Sequence, residues 1–184
     1  MAKVHFFYST MNAGKSTALL QSAHNYHETG NETILFIPRE DAEKNSGLIK
    51  SRIGLKAEAV VIDSKIKIFE YVKNETEKKQ IDAILIDEAQ FLKKHQVLEM
   101  CKVCDELDIP VMCYGIRTDF RGELFEGSAS LLALADNLIE LKTVCNECSR
   151  KATMVVRLDE NSNVVTEGSK AVSYTHLRAH ETDS

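Results

Sequence analysis

Ser9-Thr10-Met11-Asn12-Ala13-Gly14-Lys15-Ser16-Thr17 stands between an apolar run at residues 4–8 and a segment of helical periodicity at 16–28. A strand, a tight turn and a helix in that order form a cradle for an anion, because the N–H groups of the turn and the free donors at the helix start point to one place. Gly14 lets the backbone come close, Lys15 can reach the outer phosphates of a nucleotide, and Ser16 puts a hydroxyl where Mg²⁺, which prefers hard oxygen ligands, would be held. The literal G-x-x-x-x-G-K-[ST] pattern is broken at its first position, where Ser9 replaces glycine. Context therefore has to supply the rest of the argument.

Working outward, apolar or β-branched runs recur at 34–37, 59–62, 83–87 and 110–116. Continuously apolar strands such as Ala83-Ile84-Leu85-Ile86 are expected where helices cover both faces of a parallel sheet. The spacing of Leu19, Leu20, Ala23 and His27 predicts a helix over 16–28 closed at Gly30, and Val97, Leu98, Cys101, Cys104 and Leu107 predict another over 96–107. Residues 40–54, polar and poor in apolar side chains, predict a mobile loop. The fourth run ends in Asp87-Glu88, the Walker B form in which Asp87 helps hold Mg²⁺. Glu88, one position on, either accepts a substrate hydroxyl proton as a general base or is a helix-start acid favoured by the dipole. These features predict an α/β fold, a P-loop (RecA-like) parallel sheet flanked by helices, over residues 1–141. Arg52 could swing over the phosphates, and Arg117 and Arg121 carry the same possibility; spacing assigns a role to none of them.

The 184 residues carry 23 Lys+Arg against 28 Asp+Glu, a net charge of −5, with 43% hydrophobic content. This is the balance of a globular domain, and an acidic total argues against broad nucleic-acid binding, which needs a basic surface to displace counterions. The first residues lack the apolar core of a secretory leader and no run of 18 apolar residues occurs, so no membrane association and a cytoplasmic location are expected. On that footing the N-x-[ST] matches at Asn31 and Asn74 are chance. Five cysteines, at 101, 104, 113, 145 and 148, are an odd number that suits reduced thiols or metal ligands. Cys101 and Cys104 share a helix face and read as core. Cys145 and Cys148, in a polar turn, can grip zinc. Residues 142–172 read as a small antiparallel ribbon, a zinc-ribbon-like β appendage or partial lid subdomain, and 173–184 as a tail with neither periodicity nor turn logic.

The chain resembles type II thymidine kinase. The resemblance rests on Tyr-Ser-Thr-Met-Asn-Ala-Gly-Lys-Ser-Thr at 8–17, Ser-Arg-Ile-Gly at 51–54, Asp-Glu-Ala-Gln-Phe at 87–91, Tyr-Gly-Ile-Arg-Thr-Asp-Phe-Arg-Gly-Glu-Leu-Phe at 114–125 and Cys-Asn-Glu-Cys at 145–148. Ser9 in the loop is similar to the enterobacterial-type branch. The resemblance implies ATP-dependent phosphorylation of the thymidine 5′-hydroxyl. Glu88 carries over as proton acceptor. Ser9, Thr10, Met11, Asn12, Ala13, Gly14, Lys15 and Ser16 carry over as the ATP loop, with Asp87 and Gln90 in the second nucleotide-binding stretch and Ser16 and Asp87 on Mg²⁺. Met11, Phe91, Ile116, Phe120 and Phe125 match the thymidine pocket, where aromatic faces and a thioether suit a flat methylated pyrimidine; read without the family, Phe120 and Phe125 are core aromatics. Also implied are structural Zn²⁺ on Cys145 and Cys148, a homotetramer and inhibition by thymidine triphosphate. The family's second zinc-ligand pair and its tyrosine-bearing lid have no counterpart here. The expectation is a C-terminally truncated kinase whose last dozen residues are foreign to the gene; His176 and His180 completing a Cys2His2 shell is the alternative. A competing function is a RecA-like ATPase switch acting on a macromolecular partner.

Overall fold

The computed structural model describes the chain outside residues 12, 46, 64, 146–149, 158–163, 166–174 and 178–184, and outside the side chains of 43–45 and 175–177. In chain order the elements are β1 (Val4–Ser9), α1 (Lys15–Glu28), β2 (Thr33–Pro38), α2 (Arg39–Asn45), β3 (Leu48–Lys50), β4 (Lys56–Glu58), β5 (Val60–Ile62), α3 (Ile68–Thr76), β6 (Ala83–Ile86), a 3-10 turn at Ala89–Phe91, α4 (Lys94–Leu107), β7 (Val111–Ile116), α5 (Glu126–Leu134), β8 (Asn137–Glu140), β9 (Thr143–Val144), β10 (Lys151–Ala152), β11 (Met154–Val156) and β12 (Thr175–Leu177). Six strands form one sheet in the order β5-β2-β6-β7-β1-β8, with every neighbouring pair parallel. The strand leading into the loop, β1, and the strand leading to the paired acids, β6, are therefore separated by β7, the RecA-like arrangement.

Alternation along the strands divides the core into two. Val4 and Phe6, Ile34 and Phe36, Ile84 and Ile86, and Val111 and Cys113 face a layer of α3, α4 and α5, packed through Ile68, Val72, Val97, Met100, Val103 and Leu131. Leu35, Ile37, Ala83, Leu85 and Tyr114 face the other way, onto Leu19, Leu20 and Ala23 of α1. Strands buried on both faces have no polar side to present, which explains their unbroken apolar runs. At about 25 cal/mol per Å² of apolar surface, each fully buried Leu or Ile stabilises by roughly 1.5–3 kcal/mol.

Several expectations change in detail. His27 is exposed, its Nε2 3.1 Å from Thr33 Oγ1, because the buried face of α1 ends at Ala23. In α4 the inward face is Val97, Met100, Val103 and Cys104, and Leu98 is 47% exposed. Cys104 is buried as core and Cys101 is half-buried; burial pushes the Cys104 thiol up to about 12, as befits a small hydrophobe. Residues 40–54 are not one loop. They hold most of α2 and all of β3, which pairs antiparallel with β4 just beyond them, and they are anchored by the buried Ala42 and Ile49 against the α1 side of the core. Two apolar residues at the right places suffice to dock a segment that is polar on average. Strand β8 was not foreseen; its four residues are too few to carry periodicity, and it is recruited as an edge beside His5–Tyr8 of β1.

Beyond the sheet, β9 and β10 pair antiparallel, Val165 N donates to Arg157 O at 2.8 Å, and the backbone of β12 pairs antiparallel with β11; the Cys145–Cys148 turn read from the sequence lies, at 146–148, outside the described residues. Among the described residues no helix is long and apolar enough to cross a membrane.

Helix α5 approaches the 3-10 turn closely at Gly127. A Cβ there would press into Ala89 O and stand 2.9 Å from both Gln90 O and Leu92 O. Gly127→Ala gains about 1 kcal/mol of helix propensity, but forcing two backbones apart, with no flexible side chain to give way, costs about 2–3 kcal/mol, the upper end for overpacking. A fall in melting temperature of roughly 2–8 °C is expected by calorimetry; unchanged melting would show that the two backbones are not in contact.

Candidate active site

The loop and the acids meet at the carboxyl ends of β1 and β6, the end of an open parallel sheet where ligands bind. Gly14, with φ of +76°, makes the left-handed step that ends the loop and starts α1. A side chain there would be strained whatever the space around it. Ser16, in the first turn of α1, donates from Oγ to Asp87 Oδ2 at 2.7 Å. Lys15 is 6% exposed and folds back along the loop, its Nζ donating to Thr10 O at 2.8 Å and Ser9 Oγ at 3.3 Å. Ser9 Oγ donates in turn to Thr10 O at 2.9 Å, so the residue standing in for the usual glycine gives the loop a hydroxyl of its own. Asn12 lies outside the described residues; Met11 and Ala13 are half-buried.

Charge is concentrated here. Burial lowers the Lys15 pKa, the carboxylates of Glu88 and Asp87 pull it back up, and the Arg52 guanidinium lowers it again, so the ammonium feels all three charges. Arg52, exposed in the β3–β4 turn, thus brings its field to the loop. Burial pushes the Asp87 carboxyl up to about 7, and the neighbouring Glu88 charge adds to the rise, against the hydrogen bonds from Ser16 Oγ and Glu88 N.

Glu88 sits at φ 49°, ψ 39°, the left-handed region, which costs a non-glycine residue about 1–2 kcal/mol. The turn is held by Glu88 N donating to Asp87 Oδ1 at 3.0 Å and Phe91 N donating to Glu88 O at 3.1 Å. The left-handed step ends the strand immediately after Asp87, and both consecutive acids bring their charge to Lys15. Gln90 is 2% exposed, with Oε1 accepting from Ile116 N at 3.1 Å and Nε2 donating to Glu88 Oε2.

The aromatic candidates divide. Phe91 and Phe125 meet edge to face with ring centroids 5.9 Å apart, and Ile116, at the end of β7, is tied by its backbone N–H to Gln90 of the turn that carries Phe91. Phe120 is buried with the Arg121 and Arg157 guanidinium groups 5.8 and 5.9 Å from its ring centre. Arg121 bonds Asp119 and Glu123, which fixes the turn between β7 and α5. Sequence reasoning passed over Ser128, whose Oγ donates to Ile116 O at 2.5 Å, and Gly115, which lets Gln90 reach Ile116; nothing in a lone serine or glycine advertises either role.

The donor set suits Mg²⁺. A hydroxyl and a carboxylate oxygen stand together, both hard, and the carboxylate is buried at a cost that a divalent cation would offset. Zinc is a different matter. Cys145 is buried and its N donates to Arg150 O at 2.7 Å, Cys148 lies outside the described residues, and among the described residues no group of three or more His, Cys, Asp or Glu could hold a metal.

A parallel sheet with one strand inserted between loop and acid, and the loop serine bonded to that acid, defines a P-loop nucleotide-binding protein of the phosphotransferase type. The chain belongs to the thymidine kinase family: the family model described as thymidine kinase matches residues 2–180. It is 52% identical over 168 residues to the thymidine kinase of Rhodopirellula baltica, covering 91% of this chain and 79% of that protein. It is also 52% identical over 168 residues to that of Zymomonas mobilis, covering 91% and 86%. Against that of Salmonella typhimurium it is 49% identical over 172 residues, covering 94% and 83%.

Since the Asp87 pKa is higher folded than unfolded, the carboxyl's stabilising contribution is full below about pH 4 and is lost as pH rises through about 7. Asp87→Asn removes that loss, and its amide can still accept from Glu88 N. In Mg²⁺-free buffer the variant is expected to melt several degrees above the parent at pH 8 and within a degree or two of it at pH 4.5. Equal differences at both pH values would reject burial of charge as the cause.

Proposed function

We propose that this chain transfers the γ-phosphoryl group of ATP to the 5′-hydroxyl of thymidine, giving thymidine monophosphate and ADP. Membership of the thymidine kinase family supports the substrate pair. The observation that carries the chemistry is the Ser16–Asp87 hydrogen bond, which seats the phosphate loop against a strand whose next residue is Glu88.

In this reading the loop from Ser9 to Ser16 binds the phosphates through its N–H groups, and Lys15 exchanges its bonds to Thr10 O and Ser9 Oγ for phosphate oxygens. Ser16 and Asp87 hold Mg²⁺, which when bound neutralises charge developing on the transferred group. Glu88 takes the 5′-hydroxyl proton as that oxygen forms its bond to phosphorus and the bond to the ADP oxygen breaks. Phe91 and Phe125 offer an edge-to-face aromatic corner, with Ile116, for the thymine ring, and Met11 and Phe120 complete the proposed pocket. Arg52 adds positive charge over the phosphates. The proposal further includes a cytoplasmic homotetramer inhibited by thymidine triphosphate and a zinc ion on Cys145 and Cys148, all supported by the family resemblance alone.

Purified protein given ATP, Mg²⁺ and thymidine is expected to yield thymidine monophosphate by mass spectrometry, with ADP release dependent on the nucleoside. Glu88→Gln should leave ATP binding within a few-fold and lower turnover by roughly 10²–10⁴. ADP release indifferent to thymidine and raised by DNA or protein would replace the kinase by an ATPase switch, and full turnover in Glu88→Gln would remove the base.

A further inference from the structure

We infer that Gln90 is a positioning residue that aims the Glu88 carboxylate, acting through that side chain rather than on the nucleotide. The inference rests on the reading of Glu88 as proton acceptor.

The amide of Gln90 is occupied at both ends, and its orientation is not free. Ile116 N is a donor only, so the Gln90 atom 3.1 Å from it must be the carbonyl oxygen. The other end is then necessarily the NH₂ group, and it points at Glu88 Oε2. With Oε2 engaged by a neutral donor, Oε1 is the oxygen presented for a substrate proton. An amide orients the carboxylate without bringing a competing charge or a proton of its own to lose. Loss of aim by an ångström at a reacting group is costly.

The surroundings are built for this approach. A Cβ on Gly115 would stand 2.9 Å from Gln90 Oε1 and 3.1 Å from Gln90 N, so only glycine leaves the space that the amide fills. Gly127 lets α5 press on the backbone of the same turn, and Ser128, next to it, holds Ile116 O. The Ile116 peptide is thereby fixed at its N–H by Gln90 and at its carbonyl by Ser128. One glutamine thus connects the end of β7, where Ile116 meets the proposed thymine corner, to the oxygen that takes the proton.

The two ends can be separated by mutation. Gln90→Glu keeps an oxygen for Ile116 N but replaces the donor facing Glu88 by a repelling oxygen, whereas Gln90→Met removes both bonds at similar volume. Steady-state kinetics and melting curves are expected to show that Gln90→Glu loses roughly 30-fold or more in kcat, with KM for thymidine within about threefold and melting within a few degrees of the parent. Gln90→Met should lose kcat similarly and melt lower, because Ile116 N is left without its acceptor. Glu88→Gln combined with Gln90→Glu should be no slower than Glu88→Gln alone, since a residue acting through Glu88 has nothing left to act on. Parental kcat in Gln90→Glu, a loss confined to KM, or additive losses in the double variant would each overturn the inference. If Glu88→Gln itself turns over normally, the base assignment fails first; if Glu88→Gln is slow and Gln90→Glu is not, only the role of Gln90 falls.

Discussion

The hydrogen bond from Ser16 Oγ to Asp87 Oδ2 closes the site, and it joins residues 71 positions apart on elements that are not sheet neighbours. Its existence depends on the register of β7, which lies between β1 and β6 and pairs with both. Ile86 stands opposite Cys113 while Ser9 stands opposite Ile116, so the acid strand stops short of the loop strand by three residues. The 3-10 turn at Ala89–Phe91 occupies that step. A slip of one residue in either pairing would turn every side chain of a strand to the other face and carry Asp87 away from the loop.

Around that bond the protein accepts several local costs at once. Glu88 is left-handed without being glycine, Asp87 is a buried acid beside another acid, and Lys15 is a buried cation. None of these stabilises a fold on its own. They persist because the turn is over-determined, by Gln90 and Phe91 from within, by Gly115 beneath it and by α5 pressing through Gly127 from outside. Strain and unfavourable charge gathered in one place is the pattern of a site maintained for chemistry.

Much of this was readable beforehand, for identifiable reasons. Strands β1, β2, β6 and β7 announced themselves because a strand covered by helices must be largely apolar along its length, whereas β5, at the sheet's edge with Val61 exposed, was legible only as a short apolar run. Helices α1 and α4 did so through their spacing, although His27 and Leu98 lie off the faces assigned to them. The hairpin β3–β4 was missed because average composition hides single anchors such as Ile49, and β8 because an edge strand of four residues borrows its stability from its neighbour. Within the site, loop and acids were legible as contiguous motifs, but Gln90 was visible only as a neighbour of the acids.

The amino-acid sequence by itself determined the parallel α/β class, the phosphate loop with its lysine and serine, and the acid pair that follows an apolar strand, since each is a property of consecutive residues. Only the tertiary structure decided that β7 stands between loop and acid, that Gly115 and Gly127 admit an amide and a helix where any side chain would collide, and that Gln90 connects Ile116 to Glu88. Those facts depend on which distant segments become neighbours and in what register, and that is set by how two faces of a sheet are buried together, which no single stretch of chain records.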